Sequence, residues 1–210
     1  MLDATTPATR PVNPRFSSGP CAKIPHFSLD MLAGAPLGRS HRHAVGKTKL
    51  AQAIDLTREV LASRITMARG GRTLVATMRA QGAWTALVSG GFTDFTGPVA
   101  DMLGFDEQRA NVLLAENGKL TGRVALSILG RAAKVEALDA ITAARGVTPA
   151  DAITVGDGAN DLGMLAAAGM GVALHAKPVV AAQAPLRINF GDLTSLLFLQ
   201  GYGEDEFVRA

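Results

Sequence analysis

Two aspartates four residues apart, Asp157 and Asp161, lie in the run GDGAND, directly after the short apolar stretch Ala152-Ile153-Thr154-Val155. That stretch reads as a buried strand of a parallel sheet, and Gly156 and Gly158 let the chain turn sharply where it ends. In open α/β sheets, ligands bind beyond the C-terminal ends of the strands, so both carboxylates stand where chemistry is expected. Oxygen ligands so arranged suit a hard cation, Mg²⁺ foremost. An isolated D-x-x-x-D more often caps a helix and fills a turn. Here the glycines, Asn160 and the preceding strand favour a site. Ser89-Gly90-Gly91 is the second candidate, at the end of the apolar run Trp84-Thr85-Ala86-Leu87-Val88. A serine hydroxyl and the open N–H groups of a glycine turn can hold the oxygens of an anion.

Two other patterns are decoys. Gly46-Lys47-Thr48 has the ending of a phosphate-binding P-loop, but His41 stands where the first glycine belongs and no strand precedes it. His41 and His43 have no third metal ligand nearby in sequence and read as solvated histidines.

The elements that must carry these residues follow from periodicity. Helical spacing runs from about Lys47 to Arg64, and a second helix follows Gly70-Gly71. A strand covers Trp84–Val88, and a helix covers Phe92–Leu103, closed by Gly104. Asn117-Gly118 between Asn111–Ala115 and Leu120–Val124 marks a β-hairpin. A helix over Arg131–Arg145, the strand ending at Val155, a helix over Leu162–Ala168 and a strand over Gly171–Leu174 come next. Ile188 marks a final strand and Asp192–Gln200 a closing helix. Strands alternating with helices predict an α/β fold with a doubly wound parallel sheet.

GDGANDLGML, continued by the small-residue turn AAGMGVALHAKP, resembles the last motif of the haloacid dehalogenase superfamily, and within it the phosphoserine phosphatase family. The resemblance runs from about residue 60 to 208. It implies a Rossmann-type core with a truncated helical cap. VSGGFT resembles that family's phosphate-binding motif, which assigns Ser89 and Gly90 to phosphate. Lys134, in GRAAKVEAL, would alone read as a surface lysine; the resemblance makes it the cation that neutralises phosphate and the attacking carboxylate. It further implies that Asp157 binds Mg²⁺, that Asn160 contacts substrate, and that Asp161 supports both the metal and the lysine, as a metal and catalytic residue.

The family's first motif, D-x-D-x-T, is absent: the sequence contains no D-x-D. Its first aspartate is the nucleophile and its second the general acid/base. Asp30, in Ser28-Leu29-Asp30-Met31-Leu32, is a weak candidate nucleophile, with Pro25 weakening the strand that should precede it. The implied activity is Mg²⁺-dependent hydrolysis of a small phosphomonoester, O-phosphoserine, to serine and phosphate in serine biosynthesis. The missing motif predicts negligible turnover by this chain, with Mg²⁺ and phosphate binding retained and Asp30→Ala without effect. The alternative is an inactive Mg²⁺- and phosphate-binding relative, or a site completed by a strand from a partner chain.

Composition bounds the rest. The 210 residues suit one α/β domain, and one cysteine, Cys21, excludes an internal disulfide. The net charge of +3 comes from the N-terminal segment, where seven Lys/Arg between Ala4 and Leu50 face one acid, Asp30; the remainder is slightly acidic. A nucleic-acid partner is therefore not expected, nor is a membrane span, and the reading is cytoplasmic. Six prolines (Pro7, Pro11, Pro14, Pro20, Pro25 and Pro36) predict an irregular or disordered extension over 1–45, a cap remnant over 46–66 and the core over 67–210.

Overall fold

The computed structural model describes residues 24–28, 49–125 and 131–209; of 24–28 and Arg131 it describes the backbone. Seven strands form one sheet in the order β4-β3-β2-β1-β5-β6-β7. Their ranges are β1 Ile24–Ser28, β2 Ala86–Phe92, β3 Glu107–Glu116, β4 Lys119–Ala125, β5 Ala152–Gly156, β6 Met170–Leu174 and β7 Leu186–Ile188. All neighbours run parallel except β3 and β4, which form the hairpin. Asn117 and Gly118 take φ of 50° and 72° at its turn, the left-handed pair that a two-residue hairpin requires.

Alternation along the strands sorts the core into two layers. Leu87, Ile153, Val155, Val172 and Leu174 point to one face, where they meet α2 (Gly71–Ala80), α3 (Thr93–Leu103) and α7 (Ser195–Leu199, after the short α6, Pro178–Ala181) through Leu74, Met78, Val99, Leu103, Leu196 and Leu197. Ala86, Val88, Ala152 and Ala173 point to the other, against Ala137, Leu138 and Ile141 of α4 (Arg131–Ala144) and Met164 and Leu165 of α5 (Leu162–Ala167). The expected doubly wound sheet is thus present, helices on both faces. Among the described residues no helix is long and apolar enough to cross a membrane.

Two expectations are corrected. The N-terminal extension is not irregular throughout, because Ile24–Ser28 forms β1 at the centre of the sheet, between β2 and β5. For the same reason no central slot awaits a partner's strand. Pro25 is tolerated because it lies near the start of β1: the ladder to β2 begins only at His26↔Ala86, so the missing N–H falls beside an unpaired stretch of that edge. The region 46–66 contains α1 (Leu50–Ser63), which has no fully buried residue. Its start is tied to the hairpin by the Leu50 N–H, which donates to the Gly118 carbonyl at 2.9 Å.

The approach to β5 is fixed by a short turn in which the Asp151 carboxylate accepts from the Thr148 N–H (3.0 Å) and hydroxyl (2.8 Å). The backbone bond first, and then the hydroxyl, hold the Asp151 carboxyl below its ordinary range.

Candidate functional site

Strand register lines up the proposed site residues. Ser28 pairs with Val88 on β2, and Phe27 pairs with Val155 on β5, which puts Gly156 at the level of Ser28. Ser89 and Asp157 are the next residues on either side. Neighbouring strands lie about 4.8 Å apart, so the two turns flank the end of β1 at a separation of about 10 Å, the span of a metal and a phosphate.

Behind the β5 turn, Lys134 and Asp161 are almost wholly buried, at 1% and 0% exposure. α4 packs on α5 so closely that a Cβ on Gly163 would meet Val135 at 3.0 Å, and this contact carries Lys134 under the turn. Lys134 Nζ donates to Asp161 Oδ1. Asp161 Oδ2 accepts the N–H groups of Asp157 (3.2 Å) and Gly158 (3.0 Å). Asp161 stands at the helix N-cap position but makes no side-chain capping bond, so it is not a simple cap. It is a strut that ties the lysine to the turn. Gly156 makes room for it, since a Cβ there would lie 2.4 Å from Asp161 Cβ.

Asp161 accepts three hydrogen bonds inside the fold, and half-buried Asp157 stands at the end of β5. Among the described residues no three His, Cys, Asp or Glu side chains converge as a metal cage. Mg²⁺ needs none: one or two carboxylates, waters and substrate oxygens suffice, so the donor set fits Mg²⁺ with Asp157 as the protein carboxylate. Asn160 is half-buried in the same turn.

On the other flank, Ser89 is 3% exposed and Gly90 is exposed. The turn is not wholly open, as the sequence had implied, because the Gly91 N–H donates to Ser89 Oγ at 3.0 Å. In the sequence Asn111 marks only the start of a hairpin strand. Its Nδ2 donates to the Gly90 carbonyl at 2.9 Å, a contact set by pairing across 21 residues that no local pattern signals. Asp30, His41 and His43 lie outside the described residues. A cleft of about 450 Å³ at the opposite end of β2 is lined by Arg79, Trp84, Asp106 and Arg145. Its groups already pair with one another, Arg79 with Asp106 at 2.9 Å and Arg145 over the Trp84 ring at 3.7 Å.

The family model of haloacid dehalogenase-like hydrolases matches residues 12–166. The chain belongs to the haloacid dehalogenase-like hydrolase family. The match begins before β1, so this membership reaches into the N-terminal segment that the sequence motifs left out. Among curated relatives, the phosphoserine phosphatase of Streptomyces coelicolor is 42% identical over 148 residues, 70% of this chain and 36% of its own length. That of Albidiferax ferrireducens is 45% identical over 145 residues, 67% of this chain and 61% of its own. The chain thus spans less than two thirds of these relatives. A crystal structure of apo phosphoserine phosphatase superposes with a TM-score of 0.72 at 28% identity, covering 84% of this chain and 98% of that one.

Proposed function

We propose that this haloacid dehalogenase-like chain binds a small phosphomonoester, O-phosphoserine, with Mg²⁺ at the C-terminal edge of its sheet, and that it is a phosphoserine phosphatase-type hydrolase with impaired turnover. The observation that carries the reading is the buried Lys134–Asp161 pair tied to the amides of the Asp157 turn. Besides pairing with Asp161, a buried ammonium at this point is placed to offset negative charge. Similarity to phosphoserine phosphatases supports the choice of ester.

In this reading the Ser89 hydroxyl and the Gly90 backbone bind phosphate oxygens, Lys134 balances their charge, Asn160 contacts the substrate, and Asp157 holds Mg²⁺. The metal, when bound, neutralises phosphoryl charge. α1 is the remaining part of a helical cap.

The impairment follows from what ends β1. Register puts the position between Ser89 and Asp157 at Ser28 or the next residue, and neither is a carboxylate. Ser28-Leu29-Asp30 then matches D-x-D with serine in the first place, which makes Asp30 the second carboxylate rather than the nucleophile. Covalent attack on phosphorus has no aspartate to make it. The test is phosphate release from O-phosphoserine in Mg²⁺ by the full chain and two variants. Wild type and Asp30→Ala should both be near background, and Ser28→Asp, which recreates D-x-D, should raise the rate by about 100-fold or more. Brisk wild-type turnover abolished by Asp30→Ala would instead make Asp30 the nucleophile.

A further inference from the structure

The parallel ladder between β2 and β3 has a break at the proposed phosphate turn. It pairs Ala86↔Glu107, Leu87↔Gln108 and Val88↔Arg109, then resumes at Phe92↔Asn111. Between the last two pairs β2 spends three residues, Ser89, Gly90 and Gly91, while β3 spends one, Ala110. Such a bulge pulls backbone groups out of the ladder, and they must find other partners. The Gly90–Gly91 peptide unit has one at each end. Its carbonyl accepts from Asn111 Nδ2 at 2.9 Å, and its N–H donates to Ser89 Oγ at 3.0 Å.

A peptide between two glycines has little steric preference and can rotate at low cost. Rotation would exchange the directions of a carbonyl and an N–H beside an anion. Asn111 is buried, at 4% exposure, so its bond forms away from competing water. With the N–H side of the plane bonded to Ser89 Oγ, that oxygen has accepted one hydrogen bond and keeps its own O–H to donate.

We propose that Asn111 is a positioning residue: by holding the Gly90 carbonyl it fixes the Gly90–Gly91 peptide plane and, through it, the direction in which Ser89 presents its hydroxyl to phosphate. This rests on the reading of the Ser89 turn as the phosphate subsite. Asn111 acts through the turn and need not touch the ligand. It also gives the hairpin a part in the site, because β3 belongs both to the parallel sheet and to the hairpin.

The test is titration of the full chain with inorganic phosphate in Mg²⁺, with thermal melting recorded for each variant. Asn111→Leu keeps the bulk and removes the donor. It should weaken phosphate binding by about tenfold, the worth of one hydrogen bond, while Mg²⁺ affinity, set on β5, is unchanged. Asn111→Asp keeps the shape but turns an acceptor toward the Gly90 carbonyl. Its loss relative to wild type at the same pH should shrink as pH falls through the new carboxyl's titration, when an O–H can donate again. A purely structural role would lower the melting temperature and leave the folded chain's phosphate affinity and its pH dependence unmoved. If Asn111→Leu does not fold, the pH series of Asn111→Asp decides. Wild-type binding matched by both variants overturns the inference alone. A wild-type chain that takes no phosphate overturns the phosphate subsite and the inference with it.

Discussion

At the scale of single residues, the most informative is Lys134. On a helix surface it would be one solvated cation among many; at 1% exposure against Asp161 it is a charge removed from water. Its cost is met by a carboxylate that two backbone amides also orient. Lys134→Met should therefore destabilise the chain by about 3 kcal/mol in urea unfolding, because Asp161 is left without its cation. Adding Asp161→Asn should recover part of that loss, since the amide needs no counter-charge. A neutral effect of Lys134→Met would mean that the pair contributes nothing to the fold.

At the scale of elements, the β5-turn-α5-β6 unit is built around glycines with no room beside them. A Cβ on Gly171 would lie 1.9 Å from the Leu165 carbonyl oxygen, and one on Gly169 would lie 1.8 Å from that of Ala150. These are backbone atoms, which cannot rotate away as a side chain can. Gly171→Ala should cost about 3 kcal/mol of stability by denaturant titration, and an unchanged midpoint would show that β6 can shift to admit it. This unit was fully legible in the sequence, as were α2, α3, the hairpin and α4, because each has its own apolar period and its own glycine or Asn-Gly stop. β1 was not legible. It is five residues long, contains Pro25, and owes its strand form to β2 and β5 on either side rather than to local pattern. The same limit hid Asn111. Ser89, Asp157 and Asp161 are marked in the sequence by glycine turns that follow apolar runs, Lys134 only by motif resemblance, and the structure adds how the two aspartates and the lysine are joined.

At the scale of the whole molecule, one sheet edge gathers residues from far along the chain. β1 stands between β2 and β5, so the turns holding Ser89 and Asp157 are brought to either side of one strand end, and α4 delivers Lys134 beneath. Such an edge binds an anion and a cation together more readily than either alone, because each offsets the other's charge. In the proposed reading the absent D-x-D affects the bond-making step, while the turns holding Ser89 and Asp157 and the buried Lys134 remain in place. The most direct measurement is a calorimetric titration of the full chain with inorganic phosphate, with Mg²⁺ and then with chelator, alongside Asp157→Asn. The account predicts phosphate binding that requires Mg²⁺ and is lost in Asp157→Asn. Binding of equal strength in chelator, or binding unaffected by Asp157→Asn, would contradict it.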